Sequence, residues 1–109
     1  MSELNLREVC QELGVSRRAI QGYEKAKLVS ASGKTPSGYL LYDDIARERI
    51  KKIKLYRDMG FAVKEIKEIV DAPADILKPA LINRMNELQK DIIHAKEMIS
   101  ILESIIEKL

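Results

Sequence analysis

The sequence predicts a mostly α-helical fold, in which a helix-turn-helix domain with a small β-hairpin wing precedes one long helix. Three observations lead to this prediction. Two short helix signals meet at Gly14, a turn-rich stretch occupies residues 30–38, and apolar residues then recur with heptad spacing up to Leu109. We therefore expect a compact domain at residues 1–72 and a long dimerisation helix at residues 75–109.

The first predicted helix begins at a capping box formed by Asn5 and Glu8. In such a box each side chain accepts a hydrogen bond from the other residue's backbone N–H. Gly14 ends the helix. Its apolar stripe consists of Leu6, Val9, Cys10 and Leu13. We interpret Cys10 as a small core residue rather than a reactive thiol.

The second predicted helix begins at a Ser16 N-cap and has a cationic outer face. Its inward residues are Ala19, Ile20 and Tyr23, and its outward residues are Arg17, Arg18, Gln21 and Lys25. A helix, a tight glycine-containing turn and a second helix of this kind form the helix-turn-helix arrangement. The alternative interpretation is a solvated basic surface.

The turn-rich stretch SASGKTPSG at residues 30–38 predicts a β-hairpin. We expect its strands at Leu28-Val29 and at residues 39–42. A hairpin after a helix-turn-helix is a wing, and Lys34 near its tip is placed to meet a phosphate.

Two further helices complete the predicted compact domain. The longer one begins at Asp43 or Asp44 and runs to about Met59, and basic residues cover its outer sides. Its predicted inner side is Ile45, Ala46, Ile50, Ile53 and Tyr56. A short helix follows Gly60, with an apolar face of Val63, Ile66, Ile69 and Val70, and Pro73 ends the domain.

From Pro79 onward, apolar residues alternate in steps of four and three. This seam consists of Leu81, Met85, Leu88, Ile92, Ala95, Ile99, Leu102, Ile106 and Leu109. A helix from Pro79 to Leu109 would be about 46 Å long and would expose an unbroken apolar ridge. We therefore predict self-association. The seam residues alone would suit a parallel pair, but additional apolar residues near the C-terminus lead us to favour an antiparallel coiled coil.

Composition and charge exclude several classes of protein. Residues 1–70 hold 14 Lys and Arg against 10 Asp and Glu, a net +4, whereas residues 71–109 hold 5 against 7, a net −2. This division favours an anionic partner for the first part. The apolar runs are too short to span a membrane. One cysteine excludes a disulfide framework or a multi-thiolate metal site. His94 is expected to face solvent, and we expect no cofactor.

The same features exclude an enzyme and point to the cytoplasm. The sequence contains no Gly-rich phosphate loop and no histidine placed beside a nucleophile. The first residues lack the apolar stretch of a signal peptide. We expect a cytoplasmic protein without catalytic activity.

Four stretches of the chain resemble the MerR family of bacterial transcription regulators. They are LNLREVCQELGVSRRAI, GYEKAKL, SGYLLYDD and RDMGFAVKEIKEIV, and with the heptad helix the similarity covers essentially the whole chain. The resemblance implies a homodimer joined by an antiparallel coiled coil. Such dimers place two recognition helices in successive major grooves of a pseudo-palindromic promoter operator in double-stranded DNA. Family members often untwist an overlong promoter spacer so that RNA polymerase can engage it.

The resemblance also implies roles for individual residues. Arg17, Arg18 and Gln21 would face the bases or flanking phosphates, and Tyr39 and Arg57 match positions that hold the DNA backbone. The predicted DNA-binding set is Ser16, Arg17, Arg18, Gln21, Gly22, Tyr23, Lys34, Tyr39 and Arg57. For Tyr23 and Tyr39 the alternative is packing, which we favour for Tyr23, and for Arg57 it is a solvated arginine.

The chain departs from the family pattern at three positions. The family usually reads Arg-Tyr-Tyr where this chain has Gln21-Gly22-Tyr23, and Gly-Tyr-Arg where it has Gly38-Tyr39-Leu40. Glycine inside a helix costs about 1 kcal/mol relative to alanine. Either Gly22 lets the duplex backbone approach more closely, or the helix ends early there. Gln21 would read an adenine edge or no base.

Two other functions remain open from the sequence. An architectural DNA-binding protein of the excisionase type shares the winged helix, although such proteins generally lack a long dimer helix. A protein-binding adaptor would retain the scaffold with DNA affinity weakened by the changes at Gln21, Gly22 and Leu40.

Overall fold

The computed structural model describes residues 3–109, and the chain divides into two compact units. The first unit ends at Asp71 and the second runs from Ala72 to Leu109. The elements of the first unit are β1 (Leu4–Asn5), α1 (Leu6–Leu13), α2 (Arg17–Lys25), β2 (Gly33–Lys34), β3 (Leu40–Tyr42), α3 (Asp44–Asp58) and α4 (Val63–Ile69). The second unit contains α5 (Ala74–Glu107).

The predicted capping box at the start of α1 is confirmed. The Glu8 N–H donates to Asn5 Oδ1 at 2.9 Å, and the Asn5 N–H donates to Glu8 Oε1 at 3.0 Å. Gly14 adopts φ 65°, in the left-handed region that glycine occupies without steric cost. This residue ends α1 and reverses the chain into α2.

The wing differs from its prediction because its first strand lies later in the chain. β2 pairs antiparallel with β3 through Gly33–Leu41 and Lys34–Leu40, so the turn is only residues 35–39. The predicted strand at Leu28-Val29 is wrong, because the Leu28 N–H donates to the Tyr23 carbonyl at 2.9 Å in the turn that closes α2, and β3 pairs with Gly33 and Lys34 instead. The sequence analysis did not predict β1. This strand pairs antiparallel with the edge of β3 opposite β2.

Helix α3 begins at an Asp43 cap, and the Ala46 N–H donates to Asp43 Oδ1 at 2.9 Å. Its buried residues are Ala46, Ile50, Ile53 and Tyr56. The prediction that Ile45 belongs to the inner side is wrong, since this side chain is 81% exposed. Helical spacing puts Ala46 and Ile50 on the buried face of α3, and Ile45 lies outside that face.

The core of the first unit contains side chains from all four of its helices and from β3. Its members are Val9, Val15, Ile20, Tyr23, Leu28, Tyr42, Ala46, Ile50, Ile53, Tyr56, Phe61, Ile66, Ile69 and Val70. Tyr56 and Phe61 meet edge to face, with ring centroids 5.8 Å apart. Cys10 is only half-buried and lies at the margin of this core, so its predicted core role is correct in part.

Helix α5 begins at Ala74, one residue before the predicted dimerisation segment at residues 75–109 and five residues before Pro79, from which the heptad pattern runs. Pro79 lies in the second turn, where its missing N–H removes the single hydrogen bond to the Asp75 carbonyl. The 34 residues of α5 correspond to about 50 Å of helix. Between Glu3 and Leu109 no helix has the length and hydropathy needed to cross a bilayer.

Candidate nucleic-acid interface

The outer face of α2 carries the cations that the sequence singled out. Ser16 caps the helix, since the Ala19 N–H donates to Ser16 Oγ at 3.0 Å. The outward residues Arg17, Arg18, Gln21 and Lys25 are all exposed. Within residues 3–109, neither Arg17 nor Arg18 forms an ion pair or a side-chain hydrogen bond. Their guanidinium groups are therefore available to an anionic ligand.

Gly22 lies inside α2 and does not end it. The Ala26 N–H donates to the Gly22 carbonyl at 3.0 Å, and the helix continues to Lys25. The hypothesis that the helix ends early at Gly22 is therefore wrong. Among the described residues, no atom beyond the adjacent helix backbone lies within 4 Å of the position that a Gly22 Cβ would take.

Tyr23, by contrast, belongs to the core, with 6% exposure. Burial raises the pKa of its phenol, and the charge of the nearby Arg57 guanidinium acts in the opposite direction. This electrostatic contact places the inner side of α2 close to the C-terminal end of α3. In the free chain Tyr23 therefore packs in the core, which is the interpretation that the sequence analysis favoured for this residue.

The wing turn is fixed by hydrogen bonds around Thr35. The Tyr39 N–H donates to Thr35 Oγ1 at 3.0 Å, and the Thr35 N–H donates to the Tyr39 carbonyl at 2.8 Å. Gly38 has φ 93°, a conformation that residues with a Cβ rarely adopt. Tyr39 is 68% exposed and Lys34 is also exposed, so both side chains are accessible on an ordered hairpin.

Arg57 stands near the end of α3 and is exposed. Its Nη1 donates to the Phe61 carbonyl at 2.9 Å, across the turn at Gly60. A guanidinium has five N–H donors, so this bond leaves donors for a phosphate. Arg57 therefore supports the chain turn and remains available at the surface.

Other cations of α3 are held within the first unit, which the sequence did not reveal. Arg47 donates to the Tyr42 carbonyl at 2.7 Å and pairs with Asp44. Lys52 donates to the Val70 carbonyl at 3.2 Å. These hydrogen bonds link α3 to β3 and to the end of α4. Arg47 and Lys52 are less available to DNA than the cations on α2.

Arg49 forms the most extensive of these internal contacts. Its Nε donates to the Leu28 carbonyl at 2.8 Å, and its two terminal nitrogens meet the Asp71 carboxylate at 2.5 and 2.7 Å. The hydrogen bond from Arg49 lowers the pKa of the Asp71 carboxyl below its usual value. The partners are 22 residues apart in sequence, so no local pattern could have indicated the pair.

The family model for the MerR HTH family regulatory protein matches residues 4–73, which include α2 and the wing. This chain belongs to the MerR family. It is 34% identical over 98 residues to the HTH-type transcriptional activator mta of Bacillus subtilis (strain 168), covering 90% of this chain and 38% of that protein. The MerR-family chain thus spans well under half the length of that relative.

A second relative has a size closer to that of this MerR-family chain. Heavy metal-dependent transcription regulator 2 of Rhizobium meliloti (strain 1021) is 30% identical over 102 residues, covering 87% of this chain and 69% of that protein. These relatives are named as transcription regulators rather than as enzymes.

Solved structures of MerR-family proteins confirm the predicted fold class. The N-terminal part of the Bacillus subtilis multidrug transporter activator, MtaN, has a TM-score of 0.76 at 32% identity, covering 94% of this chain and 97% of that one. HiNmlR, a MerR family regulator lacking the sensor domain and bound to promoter DNA, has a TM-score of 0.71 at 15% identity, covering 91% and 80%. At that identity, the second likeness concerns the fold alone.

Proposed function

We propose that this MerR-family chain is a DNA-binding transcription regulator that binds a pseudo-palindromic promoter site as a homodimer. The observation that carries the proposal is the outer face of α2, where Arg17 and Arg18 are exposed and form no ion pair within residues 3–109. In a helix-turn-helix, this is the surface that enters the major groove.

The proposed contacts divide between bases and backbone. Arg17, Arg18 and Gln21 would face base edges or flanking phosphates, since arginine pairs well with guanine and glutamine with adenine. Lys34, Tyr39 and Arg57 would meet the backbone from the wing and from the end of α3. Ser16 would act indirectly, because its hydroxyl holds the first turn of α2.

The proposed homodimer rests on the exposed apolar seam of α5. In the single chain, Met85, Ile92 and Ile99 are each at least half exposed, and Leu102 and Ile106 are exposed further. An apolar ridge of this length is stabilised by a matching helix, and a second copy offers one. We propose that α5, within residues 75–109, forms an antiparallel coiled coil. The heads at residues 1–72 would then bind half-sites about one DNA turn apart.

Such a dimer would act in the cytoplasm on promoter DNA. By distorting the promoter spacer, it would change how RNA polymerase engages the promoter. Bending or untwisting a site costs several kcal/mol, which contacts from both heads would have to offset. The cations on the wing and on α2 provide such contacts twice in a dimer.

Binding measurements at several salt concentrations test this proposal. For the unsubstituted chain and a duplex from the DNA upstream of its own gene, log affinity should fall linearly with log salt concentration. The double variant Arg17→Ala and Arg18→Ala should bind more weakly, with a slope reduced by up to about four, because both arginines occur twice in the dimer. A matched control is Lys90→Ala, because Lys90 is exposed at heptad position f, away from the seam.

The outcomes separate the proposed function from its alternatives. A double variant that binds like the unsubstituted chain would contradict the role of α2. Absence of DNA binding by the unsubstituted chain would favour a protein-binding adaptor. DNA bending without any effect on transcription by RNA polymerase would favour an architectural protein.

A further inference from the structure

Gly22 is an internal helix residue that the folded chain does not require. Glycine at this position lowers helix stability by more than most residues would. Its backbone is helical with no positive φ, and within the described part of the chain no neighbouring side chain occupies the place of a Cβ. Neither the backbone conformation nor the packing of the described residues requires a glycine here.

Two cations flank Gly22 on the outer surface of α2. Arg18 lies four residues before it and Lys25 three residues after it, the two spacings that make helix residues neighbours. Both side chains are exposed, and between Glu3 and Leu109 neither has a hydrogen-bond or ion-pair partner. The surface between them is bare helix backbone. This arrangement is a shallow notch with a positive charge on each side.

We propose that Gly22, Arg18 and Lys25 form a seat for one phosphate group of the DNA backbone. The inference rests on the proposed DNA-binding function and adds a contact that Gly22 makes possible. A phosphodiester oxygen in the notch would accept hydrogen bonds from the two cations. Because Gly22 has no side chain, the sugar-phosphate backbone can approach α2 more closely than it could with a larger residue there.

The proposal predicts how DNA affinity changes with side-chain size at position 22. Gly22→Ala should weaken binding, and Gly22→Leu should weaken it by about tenfold or more, because each added carbon displaces the backbone from both cations. The decrease in DNA affinity should appear both for a duplex taken from the DNA upstream of the chain's own gene and for a random-sequence duplex of equal length. A phosphate contact does not depend on base sequence.

Fluorescence anisotropy with both duplexes measures this effect on the full-length chain. Thermal unfolding followed by circular dichroism checks the fold, and Gly22→Ala should raise Tm by about 4 °C or more. Gln11→Leu is a matched control, because it places the same apolar side chain at an exposed position of α1, outside the proposed DNA-binding residues. On both duplexes it should bind like the unsubstituted chain. Arg18→Ala and Lys25→Ala should each reduce the salt slope by about two, because each residue occurs twice in the dimer.

Each outcome supports or overturns the seat. If Gly22→Leu binds as tightly as the unsubstituted chain, or more tightly, the seat is wrong and the proposed DNA-binding function stands. If Gln11→Leu weakens random-sequence binding as much as Gly22→Leu, the effect is not specific to the notch and the seat is also wrong. If the unsubstituted chain binds neither duplex, the seat fails together with the proposed function.

Discussion

Lys27 ends α2 in a backbone conformation that usually selects glycine. Its φ is 64°, and the Leu28 N–H returns to donate to the Tyr23 carbonyl at 2.9 Å. This is the closing pattern of a Schellman motif, in which glycine at the left-handed position avoids a steric penalty. The residue that follows this turn, Leu28, is buried in the core.

Replacing Lys27 with glycine should therefore stabilise the first unit. We expect Lys27→Gly to raise the free energy of unfolding by about 1 kcal/mol, because glycine adopts positive φ without strain. Urea unfolding followed by circular dichroism measures the change. Lys27→Ala is the control, since it removes the same charge but keeps the Cβ, and it should give no gain. An equal gain from both variants would show that charge, not backbone strain, limits stability here.

The Arg49–Asp71 pair is the residue-scale feature with a pH dependence. Arg49 lowers the pKa of Asp71, so the folded chain binds the Asp71 proton less tightly than the unfolded chain does. The pair therefore stabilises the fold above the ordinary carboxyl pKa. This contribution is lost as the pH falls through the lower pKa of the folded state.

Asp71→Asn should destabilise the first unit at neutral pH by at most about 1 kcal/mol, since the pair is exposed to solvent. The difference from the unsubstituted chain should shrink as the pH falls below about 4. Urea midpoints across this pH range measure it. Glu68→Gln is the control, because Glu68 is exposed and has no ion pair in the described residues. A destabilisation that stays constant down to pH 2 would contradict the ionic role of Asp71.

At the scale of elements, the helices were predictable because their signals are local. The sequence predicted the N-caps of α1, α2 and α3 correctly, at Asn5, Ser16 and Asp43. A cap depends only on residues three positions apart, and an amphipathic stripe only on neighbouring turns. The heptad seam is also recognised from local spacing, because its apolar residues lie three and four positions apart.

The elements that sequence reasoning missed depend on distant partners. The two-residue strand β1 exists only because β3 lies beside it, and the wing register follows from a turn fixed around Thr35. Ile45 looked like a core residue because apolar residues are usually buried, but its helical angle places it outside. Cations of α3 were expected at the surface, although Arg49 is held by a carboxylate 22 residues away.

The wing allows a direct test of its proposed backbone contact. Lys34→Ala should weaken DNA binding on any sequence and reduce the salt slope by about two, because one phosphate contact is lost in each half of the dimer. The structure supports an accessible ammonium at this position, since Lys34 is exposed in β2. Anisotropy titrations between about 50 and 200 mM salt give the slope. An unchanged slope would place the wing away from the DNA.

At the scale of the whole molecule, the two units have different sources of stability. The first unit has a buried core and internal ion pairs. Helix α5 has no buried residue and exposes most of its apolar seam. A long isolated helix with such a ridge is stabilised chiefly by packing against a partner. We therefore expect the proposed regulator to be a dimer in which residues 1–72 fold independently of dimer assembly.

Introducing a charge in the middle of the seam should separate assembly from folding. Ile92→Glu places a carboxylate at an a position, where it would be buried against a second helix. We expect this variant to be a monomer with a folded first unit and with much weaker binding to a two-half-site duplex. Lys90→Glu, which changes charge at position f, should remain a dimer. If both variants form dimers equally well, the predicted seam is not the dimer contact.

Sedimentation equilibrium of the unsubstituted chain at micromolar concentration determines whether α5 joins two copies. We expect a particle of twice the mass of one chain, with the helical content of α5 retained. A stable single-chain particle that keeps α5 helical at that concentration would contradict the two-headed regulator.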